Sequence, residues 1–140
     1  MRTHFRAVMS IIFMAVIFTE WFASAQTLKN TRVEDFGLHD HRGNFHTLYY
    51  YSDASAIVLF IQGNGCPISR NAVLDLNKVR ADYGPKGVIF LMLNANLQDH
   101  RTDIAVEAEA FNSDYPILVD EAQLVAESLG LQRTGEAIVI

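Results

Sequence analysis

The chain has 140 residues, with 11 Lys and Arg against 16 Asp and Glu, 50% hydrophobic residues and 19% charged residues. That length bounds it to one domain, and the composition excludes a wholly disordered chain. A net charge of −5 argues against a surface built to neutralise nucleic-acid phosphates, and the single cysteine, Cys66, excludes an internal disulfide framework or a thiolate-rich zinc site.

In chain order, the first element is an export signal. Arg2, His4 and Arg6 give a basic start, Ala7 to Phe18 is nearly all apolar, and Ala23-Ser24-Ala25 is the small-x-small pattern read by signal peptidase. Glu20 and the short apolar core argue against a transmembrane anchor. The expected organisation is a signal peptide over 1–25 and one domain over 26–140, exported to the periplasm or secreted. No segment after residue 25 is long and apolar enough to span a bilayer.

Val33 to His39 is a candidate short strand, followed by the turn residues Asp40-His41-Arg42-Gly43-Asn44. Phe45 to Tyr51 fits either a hairpin return or a helical turn. Ser55–Gln62 and Gly87–Asn94 each hold an unbroken apolar run, the mark of strands buried on both faces. Between them Ile68, Ala72, Leu76, Val79 and Tyr83 recur at helical spacing. Pro67 suits the first helical position, which makes Cys66 the N-cap, and Gly84-Pro85 stops the helix. This is a βαβ unit. A helix over Asp103–Phe111, with Ile104, Ala105, Ala108 and Phe111 on one face, leads to a strand at Pro116–Val119. Asp120 and Gln123 suggest a capping box for a helix over Glu121–Leu129, and Glu136–Ile140 is the last strand.

The chemistry concentrates in Gly63-Asn64-Gly65-Cys66-Pro67-Ile68-Ser69-Arg70, between the end of a buried strand and the start of a helix. A cysteine at a helix N-cap meets free N–H groups and the positive end of the helix, and both favour the thiolate. Ser69, three residues on, can bond the sulfur. Arg70 lies one turn into the helix, and no acidic residue occurs between Ala54 and Leu74, so a lowered thiol pKa is expected. His39, His41 and His46 are close in sequence, but solvated surface histidines are the commoner case and no metal is expected. Tyr49-Tyr50-Tyr51 reads as core or edge packing. Asp99, Asp103, Glu107 and Glu109 read as a solvated helix face.

The order of elements, with Cys-Pro at a helix start, resembles the thioredoxin fold. More narrowly, Asp35-Phe36-Gly37-Leu38-His39-Asp40-His41-Arg42-Gly43, Gly65-Cys66-Pro67, Tyr83-Gly84-Pro85-Lys86-Gly87-Val88, Leu93-Asn94-Ala95-Asn96 and Gly130-Leu131-Gln132-Arg133-Thr134 resemble blocks of the redoxin-domain proteins. These are the peroxiredoxin-like alkyl hydroperoxide reductase/thiol-specific antioxidant group. The likeness covers residues 33–140. It implies an α/β, thioredoxin-like fold with an N-terminal hairpin extension. It also implies a further strand and helix beyond Ile140, so the chain is expected to be part of a longer protein. It implies catalytic roles for Cys66, Ser69 and Thr134, and substrate contacts from Asn64, Gly65, Pro67, Arg70 and Gly135.

Three departures limit the analogy. Ser69 stands where thioredoxins have a second cysteine, Leu59 and Gly63 stand where peroxiredoxins have proline and threonine, and Gly135 follows Thr134 where the family has a cis-proline or an arginine. The expected function is a one-cysteine thiol oxidoreductase, with no cofactor, acting on a disulfide or peroxide and cleared by a partner protein or a small thiol. The alternative is a non-catalytic binding module that docks a partner or carries copper. Export predicts a mature protein that begins at Gln26; intact-mass measurement of the exported chain checks it, and retention of Trp21 would refute it.

Overall fold

Side chains in an extended strand alternate between two faces, so a strand apolar at every position must be covered on both. In β3 (Ala56–Ile61), Ile57, Leu59 and Ile61 join one core while Val58 and Phe60 join the other. β4 (Val88–Asn94) repeats the division, with Leu91 and Leu93 against Phe90 and Met92. The computed structural model describes residues 32–140, and the expected export signal lies outside the described residues.

β3 and β4 run parallel from Ala56↔Val88 to Ile61↔Leu93. β5 (Ile117–Val119) adds in parallel beside β4, and β6 (Ala137–Val139) adds antiparallel beside β3, giving the order β5-β4-β3-β6. On one face lie α1 (Pro67–Tyr83) and α2 (Arg101–Ala110), through Ala72, Val73, Leu76, Ile104 and Ala108. The other face is covered by Val125 and Ala126 of α3 (Leu124–Ser128), by Leu38, and by Leu48 and Tyr51. No helix among the described residues is long and apolar enough to cross a membrane.

The segment after the first turn takes both forms that its sequence allowed. β1 (Gly37–His39) pairs antiparallel with β2 (Phe45–Thr47), and Leu48–Tyr51 then closes into a single 3-10 turn. Tyr51 alone of the three tyrosines turns inward; Tyr49 and Tyr50 are exposed. Asp40 organises the turn from a buried position. Its Oδ1 accepts the Arg42 and Asn44 N–H groups at 2.9 and 2.8 Å, and its Oδ2 meets Asn44 Nδ2 at 3.1 Å and His46 Nε2 at 3.0 Å. The other nitrogen of His46 pairs with the Tyr51 hydroxyl. His41 is buried and its Nδ1 accepts the Ile117 N–H, while His39 lies beside the Phe45 ring. The three histidines therefore serve three different contacts.

Two local expectations are corrected. The inward face of α1 is Ser69, Ala72, Val73 and Leu76, whereas Ile68, Val79 and Tyr83 are exposed. The helix is rotated because its first inward position is the hydroxyl of Ser69, bonded to the Gly63 N–H. Further along, the Arg80 guanidinium covers the buried Tyr115 ring at 4.2 Å in place of an apolar side chain. The last helix also starts three residues late. Gln123 takes a left-handed φ of 58° and sends its amide to the Ala95 carbonyl, so it forms no capping box; Asp120 Oδ2 instead receives the Ala126 N–H at 2.9 Å.

Burial opposes the charge of Asp40, but the side-chain bonds from Asn44 and His46 and the two N–H groups outweigh it and hold its pKa below the ordinary carboxylate value. A depressed folded value stabilises the protein above the unfolded pKa of about 3.9, and that stabilisation is lost as pH falls through the folded value. Asp40→Ala should cost roughly 2–4 kcal/mol at neutral pH. Urea midpoints at pH 7 and pH 3 check this: the gap between the two proteins should narrow at the lower pH.

Candidate active site: the Cys66 loop

β3 ends at Ile61, and the chain crosses the carboxyl edge of the sheet through Gln62–Gly65 before α1 begins. Cys66 holds extended angles, φ −80° and ψ 117°, with Pro67 as the first helical residue. The sulfur is thus partly exposed at the helix entrance. It accepts no fully formed cap hydrogen bond. Even so, the nearby Ser69 N–H is the main influence holding the thiol below its ordinary value. Burial pushes the other way, and the Ile68 N–H, the Ser69 hydroxyl and the Arg70 charge add to the lowering.

Ser69 also secures the start of the loop. It is 3% exposed, and its Oγ accepts the Gly63 N–H at 3.2 Å. A side chain at Gly63 would be crowded: a Cβ there would stand 3.0 Å from Thr134 Oγ1 and 3.8 Å from Cys66 Cβ. Thr134 therefore crowds the space beside residue 63. Gly65 is required by conformation, with φ at +70°. Gly135 donates its N–H to Ile61 O at 2.9 Å and packs against Ile68, so Thr134 and Gly135 form the wall beside Gly63 and the first turn of α1.

The field around the sulfur is not the purely basic one expected from neighbouring residues in sequence. The fold brings two carboxylates to the loop. Asp99 Oδ2 accepts the Asn64 N–H at 2.8 Å, and Glu107 Oε2 accepts the Gly65 N–H at 2.6 Å. Asp103 and Glu109 do face solvent, but Asp99 and Glu107 do not belong to the solvated face that the pattern suggested. Arg70 is exposed but tethered: its Nε donates to Glu107 Oε1 at 3.2 Å, and its guanidinium covers the Phe111 ring at 4.4 Å. The Cys66 N–H bonds back to Gly63 O at 3.2 Å. The three consecutive N–H groups of residues 64, 65 and 66 are all taken by the protein itself. Asn94, 1% exposed, ties the arrangement together by donating to both Gln62 Oε1 and Asp99 Oδ2.

Local sequence gave no sign of Asp99 or Glu107, because their partners are backbone groups 35 and 42 residues away. On the other side of the loop, a cleft of about 480 Å³ runs past Gln62, Asn96, Gln123, Arg133 and Thr134.

The profile of the AhpC/TSA family matches residues 30–140. The chain belongs to the AhpC/TSA family. Among solved structures this AhpC/TSA chain is similar to a hypothetical protein from Sinorhizobium meliloti 1021, at 28% identity and a TM-score of 0.70 over 78% of this chain and 62% of the other. The chain therefore spans about three-fifths of that protein's length. It is also similar to the thioredoxin domain of a thiol-disulfide oxidoreductase from Bacteroides vulgatus, at 16% identity and a TM-score of 0.69 over 82% of each chain. A third is peroxidoxin BcpB from Mycobacterium tuberculosis, at 22% identity and a TM-score of 0.64 over 77% and 70% of the two chains. The last two share the thioredoxin-like fold, which is the fold class expected from the sequence. No curated protein matches the sequence.

Ser69→Ala keeps the backbone N–H that faces the sulfur and removes the hydroxyl. The pH midpoint of iodoacetamide labelling of Cys66 should rise by roughly a few tenths of a unit. The loss of the Gly63 partner should cost about 1–2 kcal/mol in urea unfolding.

Proposed function

We propose that this AhpC/TSA protein is an exported thiol oxidoreductase that works with one reactive sulfur, Cys66, and prefers disulfides to peroxides. The observation that carries the reading is the placement of Cys66 at the entrance of α1, partly exposed, with its thiol pKa lowered. The thiolate attacks one sulfur of a substrate disulfide. A bond forms from Cys66 Sγ to that sulfur, the original S–S bond breaks, and the departing thiolate takes a proton from solvent. Ser69 occupies the place of a resolving thiol, so an external thiol, from a partner protein or a small molecule, must attack the mixed disulfide and return Cys66 to the reduced form. The cleft past Gln62, Asn96 and Thr134 offers room for a partner polypeptide. Asn64, Gly65, Pro67, Arg70 and Gly135 shape the approach to the sulfur.

The preference against peroxide follows from the loop. Peroxide cleavage needs donors aimed at the oxygens as charge develops on them. Here the N–H groups of Asn64, Gly65 and Cys66 are engaged by Asp99, Glu107 and Gly63 O. No side chain extends from residue 63 or 135 to replace them. The same reading assigns residues 1–25 to an export signal and 26–140 to the mature domain.

The test is disulfide capture by the full mature chain on non-reducing gels. The wild type should accumulate a mixed disulfide or a Cys66–Cys66 dimer, Cys66→Ser should form neither while remaining folded, and Ser69→Cys should convert trapping into turnover. In stopped-flow mixing, hydrogen peroxide should oxidise Cys66 no faster than a free thiol at equal thiolate concentration. Capture unchanged in Cys66→Ser, or no capture by the wild type, would refute the reading and leave a binding module.

A further inference from the structure

Glu107 sits in the middle of α2, 41 residues from Cys66 in sequence, yet one carboxylate of this side chain holds two groups that flank the sulfur. Its Oε2 takes the Gly65 N–H at 2.6 Å, immediately before Cys66, and its Oε1 takes Arg70 Nε at 3.2 Å, one helical turn after it. The carboxylate is well shielded, with a side-chain exposure of 15% against 40% for Arg70. The Arg70 end stays in contact with solvent, so salt screens the pair in part. The Arg70 N–H bonds Cys66 O at 3.2 Å, which places the two residues on the same side of the helix. A guanidinium there is the natural counter-ion of a thiolate at residue 66. Glu107 and the Phe111 ring hold it elsewhere.

We propose that Glu107 is a positioning residue for Cys66: by holding the Gly65 N–H and the Arg70 guanidinium with one carboxylate, it fixes the loop ahead of the sulfur and keeps Arg70 from pairing with the thiolate. The inference deepens the reading of Cys66 as the reactive group and rests on it. The consequence is a moderated nucleophile. A thiolate paired with arginine is more abundant at low pH but less nucleophilic and a better leaving group. With Arg70 tethered, its charge is the smallest of the influences that lower the thiol, behind the Ser69 and Ile68 N–H groups and the Ser69 hydroxyl, and the mixed disulfide persists long enough for an external thiol to resolve it. Of the other charged groups around the loop, the Arg133 side chain lines the cleft beside Thr134, and the carboxylates of Asp99 and Glu136 are hydrogen-bonded. Asp99 holds Asn64 and Asn94, and the Glu136 carboxylate receives the Gln132 and Arg133 N–H groups.

The experiment compares the pH dependence of Cys66 alkylation by iodoacetamide in the full chain, Glu107→Gln, Arg70→Gln and the double variant. Glu107→Gln retains an oxygen for the Gly65 N–H but releases Arg70. Its labelling midpoint should fall by about half a pH unit, a roughly threefold gain in label at a fixed acidic pH. In the double variant most of that gain should vanish, because no guanidinium is left to reach the sulfur. An unchanged midpoint in Glu107→Gln, or an equal fall with and without Arg70, overturns the proposal. If Glu107→Gln does not fold, Arg70→Gln alone decides. A midpoint within about two tenths of wild type supports a diverted arginine, and a rise of about half a unit shows that Arg70 already serves the thiolate and overturns it. A coupled shift without any disulfide capture would remove the oxidoreductase reading and leave Glu107 in place; capture without the shift does the reverse.

Discussion

The side chain of Asn94 is the constraint on which the site depends. It lies at the last paired position of β4, 1% exposed, where an unsatisfied amide would be costly. Its Nδ2 bonds Gln62 Oε1 at 2.8 Å and Asp99 Oδ2 at 2.9 Å, its Oδ1 receives the Asn96 N–H at 3.0 Å, and its backbone O receives the Asp120 N–H at 2.8 Å. Three segments that leave the carboxyl edge of the sheet, after β3, β4 and β5, are thereby fixed to one residue. Asp99, so placed, reaches Asn64 and begins the grip on the loop that carries the cysteine.

The loop itself balances opposed demands. A nucleophilic sulfur has to be reachable, yet the backbone ahead of it makes a sharp turn that buries polar groups. The fold meets both by sending carboxylates to the loop N–H groups and leaving the sulfur to the helix. Negative charge beside a thiolate would ordinarily suppress it. Each carboxylate is spent on hydrogen bonds from N–H donors, and the helix entrance remains the stronger local influence on Cys66. The exposed Ile68, beside the cysteine and against Gly135, gives this entrance an apolar rim.

Much of the fold was legible because its signals are local or periodic. The apolar runs at 56–61 and 88–94 have no other use than strands covered on both faces, and Cys66-Pro67 marks a helix start by the chemistry of proline alone. What escaped depended on partners distant in sequence. The rotation of α1 followed from Ser69 meeting Gly63 and from Arg80 covering Tyr115, neither of which a count of apolar residues can register. Gln123 was drawn out of its capping role by the Ala95 carbonyl. Glu107 looked like any charged residue of an exposed helix, because the groups it serves, the Gly65 N–H and Arg70, are brought to it only by the packing of α1 and α2 on the same face of the sheet.

The contact between Gly63 and Thr134 bears on how such a site can change over generations. The Thr134 hydroxyl stands 3.0 Å from where a Cβ at residue 63 would be, so the two positions crowd each other. A side chain at 63 asks Thr134 to give by a few tenths of an ångström, a shift that a shorter side chain at 134 would not need. Substitutions at the two positions are therefore coupled in energy rather than independent. The pair sets a small steric cost on leaving glycine at residue 63 wherever Thr134 is retained.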